Sequence, residues 1–358
     1  MLQLRDRDAI LTKEGIVFRV YGYIHPSEAY VCDPEYASPS VFQSTNPRAP
    51  RGEGYPLYYK FMADEGMKLI LDRFPQYTLF YKPLQKYLVG VKQADITDIR
   101  KPDTELKNLL AREPNDVLLK ALNDLLMRVS SQSGLAEREF GVFGSLLHGF
   151  YHPEFSDLDL IIYGKENFTK LRNALATLYS EDPLLQNEFE NMKAVESKNW
   201  KFVNYSLDEY LWHQKRKMIY AYFYSPDAGR IVKAEFEPVK NWTEDINTYN
   251  QFTRVFHVGW IKAVVEITDD SDAPFIPSIY SIDVKDVLNG PKVEDVTRIF
   301  SYMEEFRMQA KQGEQVLVEG NLEKVVDGKD VFHQITLSYG DRYYEQTLKA
   351  INIKDATE

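Results

Sequence analysis

The chain has one cysteine, Cys32, in 358 residues. That count excludes a disulfide framework and a cysteine-based zinc site. Histidine is sparse as well. His25, His148, His152, His213, His257 and His333 are scattered without the spacing of a metal-binding set. No apolar run approaches the roughly eighteen residues of a membrane helix, and no charged-then-apolar leader opens the sequence. A cytosolic, hence cytoplasmic, home is therefore expected. Positive charge is scarce too: 43 Lys and Arg against 54 Asp and Glu leave −11 at pH 7. A long nucleic acid held in an extended basic groove is disfavoured, because neutralising many phosphates needs many cations. The one dense basic run, His213-Gln214-Lys215-Arg216-Lys217, reads as a solvated loop more readily than as a guide for an anionic substrate. The acidic run Asp269-Asp270-Ser271-Asp272 lacks the glycine and distal glutamate of a calcium loop and reads as a solvated turn. Internal repeats and low-complexity tracts are absent.

What is there is core-forming material. At 44% hydrophobic and 13% aromatic the chain is not disordered, and its length suggests two or three domains. Residues 1–105 read as a β-rich domain. Gly15 to Ile24 alternates, Tyr77 to Val91 holds two strand-like runs around Pro83-Leu84, Ser38 to Pro56 is a long surface loop and Phe61 to Phe74 a short helix. Residues 106–248 open with an amphipathic helix that Asn115 is expected to cap. Leu118, Leu119, Leu122, Leu125, Leu126 and Val129 recur at helical spacing until Gly134. Residues 249–358 read as β-rich and barrel-like. Strands are expected at Gly259 to Thr268, Ser278 to Val287, Gln315 to Glu323, Val331 to Leu337 and Tyr343 to Leu348, with a hairpin turn at Asp327-Gly328. Aromatics there, such as Phe332, Tyr339, Tyr343 and Tyr344, more commonly fill an interior than stack on bases.

The most informative segment is Phe143-Gly144-Ser145-Leu146-Leu147-His148-Gly149, followed by Ser156-Asp157-Leu158-Asp159-Leu160-Ile161-Ile162. Gly-Ser closes an apolar strand, Phe140 to Phe143, and eleven residues separate Ser145 from Asp157. In a strand alternate side chains share a face, so Asp157 and Asp159 point together while Leu158, Leu160 and Ile162 enter the core. Two carboxylates side by side repel each other, and a shared divalent metal is the simplest compensation. A Gly-Ser turn leaves backbone N–H groups and a hydroxyl free for phosphate oxygens.

This segment resembles the polymerase-beta-like nucleotidyltransferase superfamily, in which an apolar residue and Gly-Ser or Gly-Gly precede Asp-apolar-Asp/Glu by nine to thirteen residues. Its wording looks like the minimal and transfer-RNA-type members. The whole chain looks like an archaeal group of predicted nucleotidyltransferases with flanking domains. The resemblance implies an α+β fold, with a central mixed sheet covered by helices between β-rich N- and C-terminal domains. It also implies a third carboxylate on a neighbouring strand. Met218 to Ser225 and Ile231 to Pro238 flank a hairpin loop, and Ala234-Glu235-Phe236-Glu237-Pro238 sets Glu235 at that position, with Glu237 in reserve. Asp157, Asp159 and Glu235 would hold Mg²⁺ or Mn²⁺, while Gly144, Ser145 and His148 meet the triphosphate. Many relatives carry Arg or Lys where this chain has His148, which is mostly neutral at pH 7. Lys165, Lys170 and Arg172, on an expected helix Glu166 to Tyr179, are the other candidate cations. The implied activity is transfer of a nucleoside monophosphate from a nucleoside triphosphate such as ATP to an acceptor hydroxyl. An RNA 3′ end is slightly favoured by the transfer-RNA-type form of the motif and by the run Lys215 to Lys217, ahead of a small-molecule or protein acceptor. The rival expectation is a catalytically silent nucleotide- or RNA-binding protein.

Overall fold

The computed structural model describes residues 2–52, 54–190, 202–246, 248–340 and 342–351. The remainder, including 191–201 of the expected second domain and 352–358 of the third, lies outside that description. The chain forms two compact units. One comprises Met1–Tyr81, Lys86–Gln186 and Ile219–Ile246, the other Lys82–Gln85, Asn187–Met218 and Asn247–Glu358.

The first unit begins with an antiparallel sheet of eight strands: β1 Ala9–Thr12, β2 Ile16–Val20, β3 Ala29–Ala37, β4 Pro50–Arg51, β5 Tyr58–Lys60, β6 Thr78–Tyr81, β7 Lys86–Lys92 and β8 Ile96–Arg100. Their order is β4-β5-β3-β2-β1-β8, with β7 joining β3 and carrying β6. Alternation along β2 divides its side chains between two layers. Ile16, Phe18 and Val20 join Ile10, Tyr30 and the Leu69 and Ile70 side chains of helix α1 (Glu65–Arg73). Val17 turns the other way, with Ala9 and Tyr36, onto Leu147 and Phe150. The N-terminal sheet is thereby packed directly on the segment after Gly144. Helix α2 (Pro102–Leu110), preceding the expected amphipathic helix, was not foreseen from the sequence.

A second sheet follows in the same unit. It contains β9 Phe140–Val142, β10 Leu158–Tyr163, β11 Leu185–Asn187, β12 Tyr220–Ser225 and β13 Arg230–Val239, in the order β11-β12-β13-β10-β9. It is mixed, because β10 runs parallel to β13 but antiparallel to β9. Leu158, Leu160 and Ile162 are fully buried, as their alternation predicts. Helices α3 (Val117–Ser133) and α5 (Lys165–Glu181) pack together against this sheet, and Gly144–His148 forms a short α4 between β9 and β10. On the opposite face Ile161 and Tyr163 are covered by Tyr23. The α3 cap is Asp116, not Asn115. Its Oδ1 accepts from the N–H groups of Leu118 and Leu119 at 2.9 Å each, as an N-cap carboxylate does. Gly134, at φ +69°, ends the helix as expected.

The second unit holds β14 Arg254–Asp272, β15 Ser278–Asn289, β16 Val296–Ser301, β17 Gln315–Asp327, β18 Asp330–Leu337 and β19 Thr347–Ala350. Pairing runs β14-β15-β16-β18-β17 and returns from β17 to β14, a closed circuit with β19 added on β17. Ile261, Ala263, Val265 and Ile267 of β14 meet Val316, Val318 and Leu322 of β17 inside it. Three expectations need correction. Asp269 to Asp272 ends the long strand β14 instead of forming a turn, its ladder still pairing Asp272 with Ile279. Tyr343–Glu345 is a 3₁₀ turn, and only Thr347–Ala350 is extended. The basic run is not a solvated loop: His213 and Lys215 lie in α6 (Leu207–Lys215), and His213, Gln214 and Lys217 are buried. The chain is thus α+β, with a helix-covered mixed sheet between two β-rich regions in chain order. No helix among the described residues is long and apolar enough to cross a membrane.

Candidate active site

Parallel pairing sets the site's frame. Asp159 is the second residue of β10 and lies in register with Glu235 of β13. Directly paired residues share a face, so these two carboxylates are lateral neighbours. Asp157 precedes the strand and is exposed at its mouth. Glu237 pairs with Ile161 one step deeper and is 2% exposed. Its Oε2 accepts from Nη2 of Arg7 at 2.7 Å, so a buried guanidinium from the N-terminal region already neutralises it. Arg230, at the start of β13, donates from Nη2 to the carbonyl of Ser156 at 3.0 Å and is electrostatically coupled to Asp157.

These carboxyls resist ionisation. Burial pushes Asp159 up to about 6; Lys60 acts against that shift, Asp157 adds to it, and Lys233 and Glu35 contribute less. Glu235 is held well above the usual carboxylate range, first by burial, then by the charge of Glu237 and by a hydrogen bond between the two side chains. The neutral form of Glu235 is favoured accordingly.

The Gly-Ser segment is tied to the same strand. The Phe143 N–H donates to the Asp159 carbonyl at 3.0 Å. Gly144 follows at φ +60°, and a Cβ there would collide with Oδ2 of Asp159. Both the backbone angle and the close approach require glycine. Ser145 is buried beside it. His148 closes α4 with its ring stacked on Phe150 at 5.1 Å, while its Nδ1 accepts from Nη1 of Arg100 at 3.1 Å. Burial, then the Arg100 charge, lowers its pKa to about 3, so it is neutral at pH 7 and brings no charge to a phosphate.

Lys165, Lys170 and Arg172 are not gathered here. They belong to α5, which begins beyond Tyr163, and Tyr163 lies four strand steps of roughly 3.3 Å each from Asp159. Lys170 pairs with Glu166 at 2.8 Å, and Arg172 lies over the Phe168 ring. The cations near the carboxylates are Lys60, Lys233 and Arg230. Lys60 lies about one hundred positions upstream of the motif and carries no local signal that would have marked it.

Asp157, Asp159 and Glu235 offer only oxygen donors, the kind a hard divalent cation takes, and such an ion would relieve the Asp157–Asp159 repulsion. The donor chemistry fits. Among the described residues no three Asp, Glu, His or Cys side chains are gathered closely enough to hold a metal ion.

Residues 122–219 match the nucleotidyltransferase domain family, so the chain carries a nucleotidyltransferase domain. The matched stretch contains Gly144, Ser145, Asp157 and Asp159 and stops before Glu235. The chain is also similar to an uncharacterized protein of Methanocaldococcus jannaschii, 24% identical over 339 residues, covering 91% of this chain and 92% of that protein. No solved structure matches the chain.

Proposed function

With a nucleotidyltransferase domain at its centre, we propose that this protein transfers a nucleoside monophosphate from a nucleoside triphosphate to an acceptor hydroxyl, releasing pyrophosphate. The observation that carries the reading is the register of Asp159 with Glu235, closed on one side by the contact of Gly144 with Asp159. Gly144 and Ser145 would seat the phosphates beside that pair. A magnesium or manganese ion held by Asp157, Asp159 and Glu235 would supply charge neutralisation of the triphosphate and activation of the acceptor. The acceptor oxygen bonds to the α-phosphorus, the bond from that phosphorus to the bridging oxygen breaks, and the hydroxyl proton passes to a carboxylate of the set.

The acceptor we propose is compact. The run that favoured an RNA end is engaged within its own unit. Lys217 Nζ donates to the Glu305 carbonyl at 2.7 Å, Lys215 pairs with Glu190 at 2.9 Å and Arg216 pairs with Glu314. A small-molecule or protein hydroxyl therefore moves ahead of RNA. The Glu235–Glu237 hydrogen bond favours a second reading, a silent nucleotide-binding protein, if that contact persists when nucleotide is bound. Incubation with α-labelled triphosphates, Mg²⁺ or Mn²⁺ and a cell extract separates the two. Label transferred by the parent and not by Asp159→Asn supports the enzyme; triphosphate binding without transfer under any condition supports the silent protein.

A further inference from the structure

A triphosphate brings about four negative charges to a surface already holding Asp157, Asp159 and Glu235, and His148 is neutral. Besides a divalent ion and the Lys233 and Arg230 side chains of β13, the N-terminal sheet brings a cation to these carboxylates. Lys60 ends β5 and is paired in register with Tyr36 of β3. Paired residues share a face, as do alternate residues of one strand, so Lys60, Tyr36 and Tyr58 project together. Tyr36 and Tyr58 each meet the Phe150 ring with centroids 4.9 Å apart, and Tyr36 also touches the His148 ring at 5.5 Å. That face thus lies on the segment running from Gly144, which touches Asp159, to Phe150. Among the described residues, Lys60 is half-buried and its ammonium has no ion-pair or hydrogen-bond partner. Its field is nonetheless the strongest cationic influence on Asp159. An ammonium carries three donors, and an anion arriving beside Asp159 can take them.

We propose that Lys60 binds the β- and γ-phosphates of the incoming nucleoside triphosphate, so that the N-terminal sheet forms one wall of the nucleotide site. This rests on the nucleotidyltransferase reading above. It gives the β-rich N-terminal region a direct part in substrate recognition, beyond bracing the catalytic sheet.

The test is calorimetric titration of the full chain, Lys60→Met and Lys60→Arg with ATP, ADP and AMP in the presence of Mg²⁺, alongside melting temperatures. Lys60→Met is expected to weaken ATP roughly ten- to a hundredfold, the usual effect of losing a charge-assisted contact. AMP should be affected far less, Lys60→Arg should recover most of the loss, and melting temperatures should stay level. Unchanged ATP affinity in Lys60→Met overturns the proposal and leaves the nucleotidyltransferase reading standing. An equal loss for ATP and AMP, or a lowered melting temperature in Lys60→Met, also overturns it and marks Lys60 as a neutraliser of Asp159. If the unaltered protein binds none of the three nucleotides, the nucleotidyltransferase reading falls and takes the proposal with it.

Discussion

Replacing Asp159 by Asn should stabilise the ion-free protein while abolishing its chemistry, and the stabilisation should carry a pH signature. Burial, with Asp157 adding to it and Lys60 opposing it, lifts this carboxyl from 3.8 to about 6. Each pH unit between folded and unfolded values corresponds to about 1.36 kcal/mol, so ionised Asp159 costs the folded state at most ~3 kcal/mol. Below pH 4 the side chain is protonated in both states and contributes nothing. Between pH 4 and 6 the unfolded chain ionises freely while the folded protein still holds its proton, so stability falls as pH rises. Above pH 6 the loss is complete. Asparagine has no proton to lose and escapes it. Because that shift already includes the attraction to Lys60 and Lys233, Asp159→Asn should be more stable by about 1–3 kcal/mol at pH 8, with the advantage fading toward pH 4. Urea unfolding in EDTA at pH 8 and pH 4.5 measures both quantities. A variant less stable than the parent at pH 8, or one with the same advantage at both pH values, refutes the reasoning.

Gly144→Ala should lose activity and about 1–3 kcal/mol of stability, since its Cβ meets the Asp159 carboxylate and the backbone stands at φ +60°; paired unfolding and transfer assays would show one without the other if this is wrong. Arg7→Met should cost about 3–5 kcal/mol, because it strands Glu237 in a site where both side chains are at most 3% exposed. Adding Glu237→Gln should restore much of that loss, and a double variant as unstable as the single one would contradict the pairing. Asp116→Ala should cost about 1 kcal/mol as a lost helix cap, with a further decrement from the Tyr151 hydroxyl that bonds the same carboxylate at 2.8 Å; thermal unfolding unchanged by the substitution would argue against the cap.

Short-range features of the site were legible in the sequence because they are properties of one strand or one turn. The alternation of Leu158, Leu160 and Ile162 placed Asp159 on the opposite face, and the αL position at Gly134 ended α3 where glycine permits it. The choice between Glu235 and Glu237 was not legible. Both share a face of β13, and only the pairing with β10 sets one beside Asp159 and the other against Arg7. Lys60 and Arg7 were invisible for a related reason, since a charged residue far upstream shows no periodicity that points at a distant carboxylate. The basic run misled because charge density along a sequence does not report burial: the Lys217 ammonium is satisfied by the Glu305 carbonyl. Asp116 displaced Asn115 as the cap because either side chain suits the position and the backbone chooses between neighbours.

The interruption of the first unit by Asn187–Met218 has a consequence for the order in which the protein is made. β10 emerges from the ribosome long before β13, its parallel neighbour, and part of the intervening chain, Asn187–Met218, contributes to a different unit. Until Arg230–Val239 is synthesised, the edge of β10 that β13 will cover stays open and Asp159 has no lateral partner. At roughly 5–20 residues per second, that exposure lasts several seconds. Parallel pairing between distant segments also folds slowly, because the intervening loop must close first. The sheet that carries Asp159 is therefore completed only well after its first two strands have emerged, and its open β10 edge is exposed in the interval.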